Sequence, residues 1–386
     1  MIVSGNTTWP VPLKWYSNSE QAPLLGYPEG TSARDLAPIE VRHLVLPHFD
    51  KFPPADPRVH YLIGLLYLIF GFMSSFGNYY VLKIFAKYKQ LRSPSNLLVI
   101  NLAFCDFMLF AGLYPELIFN CFFGNGVWMF GEVACIIHAW FGTVFGFGQM
   151  LTLSVIAYDR FYVITKGMTG SPPSYKRSSL LLIYVWTVSL FWGSSPLFGL
   201  GRFTLDGILS SCSYDYISRE MNVYIYIAGA WFNGFVVPIT QIIYCYFFIV
   251  RAVFIHEKQL KVQAKKMNVK SLRSSQDNDQ GMSAELRVAK VAMINIILWL
   301  FAWTPFAVMS FVGLFDPMRI TPTLSSLPVI IAKSSAVYNP IIYALSHPKY
   351  QECLKVELGW ICGATGGDKK ANDDATSAAT TSQCSI

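Results

Sequence analysis

Seven apolar runs, each long enough to cross about 30 Å of hydrocarbon, constrain this chain more than any other feature. They fall at roughly 60–84, 96–119, 133–162, 178–200, 223–254, 286–314 and 322–345. No polar face recurs along them, so they do not read as helices packed on a soluble core. Lipid leaves a spanning backbone only two choices, the helix and the closed barrel, and runs of this length specify helices. Composition agrees, with 53% of residues hydrophobic and 14% charged, against about 25% charged in a soluble domain. The predicted fold class is an all-α membrane protein. A seven-transmembrane bundle covers 59–346, an outer segment 1–58 precedes it, an amphipathic helix spans 347–362, and a tail runs over 363–386.

The net charge of +7 does not point to nucleic acid, because the basic residues crowd between apolar runs. They are Lys83, Lys87, Lys89 and Arg92; Lys166, Lys176 and Arg177; and the stretch from Lys258 to Arg273. That is the bias of cytoplasmic loops. It predicts a multi-pass protein of the plasma membrane with its N-terminus outside. Met1 to Pro54 is mixed and polar and lacks the short apolar core of a cleavable signal. Asn6-Thr7-Thr8 in this segment is a glycosylation acceptor. Cys135 and Cys212 also fall on the outer side, where oxidising conditions favour a disulfide; Cys121, near the same face, is the competing partner.

Proline interrupts several spans, at Pro115, Pro196, Pro238, Pro305 and Pro340. In a soluble helix each would cost about 3 kcal/mol. Within a bundle the freed carbonyls find partners on neighbouring helices, and the kinks open cavities. This favours a receptor or transporter, and no inverted repeat supports the transporter. Past the last span, Tyr350, Leu354 and Leu358 recur at helical spacing, as expected of a helix lying on the inner membrane surface. Cys362 at its end is placed for palmitoylation. The tail, rich in Thr, Ser and Ala, reads as disordered, with hydroxyls open to a kinase.

Lys333 carries the chemistry. It stands about eleven residues into the last run, near mid-bilayer, where a lysine costs about 2.5–3.5 kcal/mol and lies too deep to reach water. An amine out of water sheds its charge readily, and a neutral amine attacks an aldehyde to form a Schiff base. Six residues on comes Asn339-Pro340-Ile341-Ile342-Tyr343, about 9 Å further along a helix. Asp159-Arg160-Phe161 ends the third run, and Trp303-Thr304-Pro305 lies within the sixth.

This ordered set, from about Phe52 to Tyr350, resembles the rhodopsin-like G-protein-coupled receptors, and Lys333 at its spacing from NPIIY makes it similar to the opsins. His256-Glu257-Lys258, Ala264-Lys265-Lys266-Met267-Asn268, Ala284-Glu285-Leu286-Arg287 and His347-Pro348-Lys349-Tyr350 resemble the rhabdomeric visual opsins of arthropods and molluscs. The resemblance implies a light-sensing receptor of photoreceptor membrane, serving vision, with retinal on Lys333 in the 11-cis form or as a 3-hydroxy or 3,4-didehydro relative. It implies a heterotrimeric G protein of the Gq class as partner, with arrestin and a receptor kinase acting through the tail. No catalytic or metal site is expected. The competing readings are a retinal photoisomerase, which would not need the inner-face motifs, and a light-independent chemoreceptor on the same scaffold, which would not need Lys333.

The resemblance also assigns residues. A loop carboxylate shortly before the disulfide cysteine is the family's counterion, and here that position is Asp206. His138, three past Cys135, departs from the family's usual Tyr or Glu; Glu116 is its expected partner or is itself the counterion. Trp303 and Phe306 would pack the polyene, with room left by Thr143 and Gly146. Asp159, Arg160 and Glu285 would form the closed-state ion pairing, which Tyr246 and Tyr343 replace on activation; Phe161 stands where Tyr is commoner. Asp106, Asn78 and Asn339 suit a buried polar network, with Gln149 filling the space of an ion or water; Asn339, Pro340 and Tyr343 also belong to the family's coupling switch.

Overall fold

The computed structural model describes residues 30–167, 174–266, 277–346 and 348–362; some side chains near the ends of these ranges, Glu285 and Cys362 among them, lie outside the described set, as do Asn6 and the tail. The described residues form a seven-helix bundle. Its helices are α1 (Pro57–Lys87), α2 (Pro94–Phe122), α3 (Gly131–Gly167), α4 (Tyr175–Ser194), α5 (Met221–Trp231, continued by Val237–Lys266), α6 (Asp277–Phe315) and α7 (Pro322–Lys333, continued by Ser335–Ser346). Each expected span is present. Six are long and apolar enough to cross a membrane on their own, and the seventh crossing is the two-part α7. Helix α8 (Pro348–Cys362) follows at a bend of 100°.

Local chemistry sets the ends. Pro57 and Pro94 occupy first turns, where a missing N–H costs nothing; Asp56 accepts the Arg58 N–H, and Ser93 accepts that of Asn96. α3 is the axis of the bundle. Of its apolar stretch 83% is buried, against 28% for α1 and α4, and it packs on α2, α4, α5 and α6. Gly193 is one condition of that packing, since a Cβ there would lie 2.4 Å from Val144 of α3.

Prolines shape α5 and α7. Just before Pro238 the backbone widens into a π turn, Phe232–Val236, and Val237 donates to the Phe232 carbonyl. In α7, Pro340 cannot donate to the carbonyl of Ala336. That carbonyl accepts instead from Asn78 Nδ2 (3.0 Å) and Ser74 Oγ (3.3 Å) of α1. The Pro340 ring packs on Gly77, where a Cβ would approach to 2.7 Å. The kink is thus docked on α1 by two hydrogen bonds and a missing side chain. α7 breaks just after Lys333: the Ser334 N–H is shared between the carbonyls of Ile330 and Ile331, at 3.1 and 3.2 Å.

The connection after α4 folds into a hairpin, β1 (Phe203–Leu205) against β2 (Cys212–Tyr214), with Leu205 opposite Cys212. The disulfide Cys135–Cys212 ties β2 to α3, and Cys121 is a buried free thiol. Residues 30–56 lie over the hairpin: Val45 bridges to Leu205, and Val41, Phe49, Leu205, Leu209 and Ile320 share one buried cluster.

At the opposite end α8 is clamped to α1. Glu357 accepts from Lys83 (2.8 Å), Lys87 (2.6 Å) and the Tyr88 hydroxyl (3.0 Å), while Tyr350 stacks on Phe85. The hydrogen bonds from Lys83 and Lys87 push the Glu357 carboxyl from 4.5 down to about 2. Its contribution is therefore complete above pH 4.5 and disappears as pH falls through about 2. Both lysine side chains are exposed, so solvent screens the clamp and limits what it contributes. Glu357→Gln is expected to speed amide exchange in α8 about fivefold at pH 7, measured by hydrogen exchange with α1 as internal reference; unchanged exchange would show that Tyr350 packing alone holds the helix.

Candidate functional site

A cavity lies inside the disulfide end of the bundle. The β-hairpin with Leu46 and Phe49 caps it, and Trp303 lines it deeper in. Its walls are Thr143 and Gly146 of α3, Gly234 and Phe235 of α5, Phe306 and Ala307 of α6, and Lys333 of α7. Gly146 brings the α3 backbone against Trp303, since a Cβ there would sit 3.6 Å from the indole. Thr143 turns its hydroxyl to the Ala139 carbonyl (2.7 Å) and presents its methyl to the space.

The Lys333 ammonium lies 5.7 Å from the Tyr67 ring centre and 5.5 Å from that of Tyr114. Aromatic faces at this distance stabilise a cation. Two acidic side chains line the same cavity, Asp206 and Asp215. Asp215 is already committed, to Arg202 at 2.8 Å and to the N–H groups of Ile217 and Ser218. Asp206 has no cation among its hydrogen-bond partners. It accepts from Ser211 Oγ (2.8 Å) and from Ser326 Oγ (3.2 Å) of α7. Burial pushes its carboxyl from 3.8 up to about 6, against the pull of the two serines and of the Lys333 charge.

Ser326 stands seven residues before Lys333, on the same face of α7 and about 10 Å away along the axis. Side chains lean toward the N-terminus of a helix, so Lys333 leans toward Asp206. The neighbouring Ser325 accepts the N–H of Gly207 (3.2 Å), which locks the hairpin turn to α7. Gly207 has no room for a side chain, with Phe49 and Pro322 each 2.7 Å from where a Cβ would be.

His138 lines the cavity, and its Nδ1 meets Glu116 Oε2 at 3.0 Å. The expected contact is present. Glu116 is not among the lining residues; its side chain is 35% exposed on the flank of α2, while that of His138 is 1% exposed. The His138 Nε2 has no protein partner. An amine in an apolar aromatic chamber, with a carboxylate held on its own face, can condense with an aldehyde and stabilise the resulting cation. A linear polyene aldehyde fits these residues.

From the deep end of the cavity a chain of side-chain hydrogen bonds leads on. Trp303 Nε1 donates to Ser335 Oγ (3.0 Å), Ser335 to Gln149 Oε1 (3.4 Å), Gln149 Nε2 to Asp106 Oδ1 (2.6 Å), and Asn339 Nδ2 to Asp106 Oδ2 (2.5 Å). Gln149 thus takes a donor position on Asp106. Asn78 does not join this network; it serves the carbonyl freed by Pro340. Further along, Asp159 accepts from Arg160 (2.6 Å) and, unforeseen from sequence, from Arg177 of α4 (2.9 Å). Tyr246 donates to the Ala289 carbonyl of α6 (3.1 Å), and Tyr343 is buried against α1 and α8.

Sequence reasoning missed Tyr67, Tyr114, Ser326 and Ser335. Only Ser326 left a signal, its spacing of seven from Lys333. The aromatic pair and Ser335 depend on how helices are rotated against one another.

Residues 77–343 match the family of seven-transmembrane receptors of the rhodopsin type. A compound eye opsin of Hemigrapsus sanguineus is 40% identical over 88% of this chain and 90% of its own length. The long-wavelength rhodopsin of Apis mellifera is 41% identical over 83% and 84%. Squid rhodopsin has a similar solved structure, with a TM-score of 0.76 and 35% identity, covering 88% of this chain and 95% of that one.

The network makes one prediction independent of any ligand. Gln149→Leu removes a donor from Asp106 inside the bundle, and an unsatisfied buried carboxyl costs about 1–3 kcal/mol. The variant is expected to unfold at a lower temperature, followed by the reactivity of buried Cys105 and Cys245 with a thiol dye; an unchanged midpoint would mean that Asp106 does not depend on Gln149.

Proposed function

The chain belongs to the rhodopsin family of seven-transmembrane receptors, among the opsins, and from that premise we propose that it senses light through retinal bound to Lys333 and signals to a Gq-class G protein. The observation that carries the reading is Lys333 facing a capped aromatic cavity shared with a carboxylate that no other cation claims. Bound there, retinal supplies a polyene whose shape changes on absorbing light. Lys333 is the residue that would hold it, through its side-chain amine. Asp206 would supply the anion that a cation in a low-dielectric site needs nearby. Thr143, Gly146 and Phe306 shape the walls around the polyene.

Trp303 is the contact through which ligand shape reaches the rest of the protein, since it begins the hydrogen-bonded chain that ends at Asn339 and Pro340. A switch needs a bistable element biased by the ligand. The proposed element is the α6–α7 pair, held at the far end by Asp159, Arg160 and Glu285, with Tyr246 and Tyr343 as the replacement partners. That far end is proposed to face the cytoplasm and to receive the G protein. The tail would serve arrestin and a kinase, Asn6 would carry a glycan outside the cell, and Cys362 would be palmitoylated. Photoreceptor membrane is the expected location.

Expressed protein given 11-cis-retinal in the dark is expected to form an absorption band that light changes, and Lys333→Ala to form none. A chain that folds and reaches the membrane without a retinal-dependent band would contradict the reading and favour a chemoreceptor. Asp206→Asn is expected to move the band into the near ultraviolet at neutral pH, because the linkage loses the anion that favours its charged form, whereas Glu116→Gln keeps it in the visible. The reverse outcome would make Glu116 the counterion. Glu116→Gln and His138→Phe are each expected to shift the band maximum, and unchanged spectra in both would end the proposed coupling of that pair to the chromophore.

A further inference from the structure

The cavity is capped at the disulfide end by the hairpin with Leu46 and Phe49, and Val41, Leu205, Leu209 and Ile320 add to that apolar cover. Two chains of polar side chains nevertheless lead out through its wall. One runs from Asp215 to Arg202 (2.8 Å) and on to Glu220 (2.9 Å), and the last two side chains are exposed. Its middle member is a guanidinium, which does not give up a proton in a protein. This chain balances charge and passes no protons. The other chain is His138 and Glu116. The imidazole lines the cavity with its side chain 1% exposed, its Nδ1 meets Glu116 Oε2 at 3.0 Å, and the Glu116 side chain is 35% exposed. Glu116 stands six residues before the end of α2 at Phe122, about 9 Å along the helix from its disulfide end. The second ring nitrogen of His138, Nε2, is buried and has no hydrogen-bond partner among the described residues. The charges that act on the ring are Glu116 from α2 and Lys333 from α7. Asp206 and Asp215, from the connection after α4, line the same cavity. Glu132, earlier on α3, meets His43 at 3.4 Å, and the Trp128 ring packs edge-on to the imidazole at 5.2 Å.

An imidazole can take a proton on one nitrogen and release another from the second. Ionisable side chains within a membrane are costly, and chains of Glu and His there mark proton routes. A structural contact accounts for Nδ1 and leaves Nε2 unexplained, whereas buried polar atoms are normally paired. We propose that Glu116 and His138 form a proton path between the Lys333 end of the cavity and water at the disulfide end of the bundle; the inference extends the role of Lys333 given above. Inward transfer starts from a neutral ring protonated on Nε2. Glu116 gives its carboxyl proton to Nδ1, and the Nε2 proton passes to a base in the cavity, the Lys333 amine or the Asp206 carboxylate. The ring is left neutral with its proton on Nδ1, and Glu116 is left as a carboxylate. Outward transfer reverses both steps: Nε2 takes a proton from the cavity, and Nδ1 returns its own to Glu116. One proton crosses each way, and only N–H and O–H bonds form or break.

The test follows hydrogen isotope exchange rather than signalling. Full-length protein loaded with 11-cis-retinal is mixed with heavy water in the dark, and resonance Raman reads the arrival of deuterium on the Lys333 nitrogen. Glu116→Gln and His138→Gln each keep a hydrogen-bonding group but relay no proton. Each is expected to slow the exchange about a hundredfold, the low end of what a positioned acid–base group supplies. Loss of a merely structural contact would loosen the wall and speed exchange instead. A second measurement uses the full-length protein without retinal. Nitrogen-15 NMR of labelled histidine follows exchange of the His138 ring proton with water, the signal being identified by its loss in His138→Gln. Glu116→Gln is expected to slow this exchange by a similar factor. Exchange as fast as in the unmodified protein, or faster, in these variants would overturn the path. If no retinal-dependent band forms, the retinal reading fails, and the measurement without retinal decides the path by the same criterion.

Discussion

A positive charge placed inside hydrocarbon must be answered by a negative one, and the proposed pairing of Lys333 with Asp206 would join α7 to the hairpin after α4 by that requirement. Lys333 and Asp206 line one cavity, and Ser326 holds the carboxylate on the lysine's own helical face. The rest of the disulfide end serves this placement. Cys135–Cys212 fixes the hairpin to α3, Ser325 fixes its turn to α7, and residues 30–56 close over the top. Loosening any of these would let water reach the proposed pair and weaken its attraction several-fold, because the interaction scales inversely with dielectric.

The same helix that carries the amine carries the connection to the other end. α7 is broken after Lys333 and kinked at Pro340, and both defects are satisfied by neighbours rather than by the helix itself. Between them Ser335 and Asn339 link Trp303 to Asp106 through Gln149. A continuous polar chain thus runs from the cavity to the NPIIY segment. Such a chain has discrete arrangements rather than a continuum of them, which suits a two-state device.

Much of this was legible in the residues because lipid removes alternatives. Seven long apolar runs admit one backbone solution, and a mid-membrane lysine is too costly to be incidental. The Glu116–His138 contact was one of two expectations for Glu116, and the Cys135–Cys212 pairing was expected with Cys121 as competitor; the structure has both contacts. Contacts set by rotation between helices were not. Asn78 was expected beside Asp106; it points to Ala336 because Pro340 leaves that carbonyl without a donor, and no one-dimensional pattern says which neighbour will supply it. Arg177 on Asp159 and the Tyr67–Tyr114 pair under Lys333 belong to the same class.

The central claim is that one amine, on Lys333, takes the chromophore. The most direct measurement is to load the protein with 11-cis-retinal, reduce the linkage with borohydride, digest, and locate the added mass by peptide sequencing. The account predicts a retinyl group on the peptide bearing Lys333 and on no other lysine. A retinyl group on a different lysine, or a fully loaded protein with none, would contradict it.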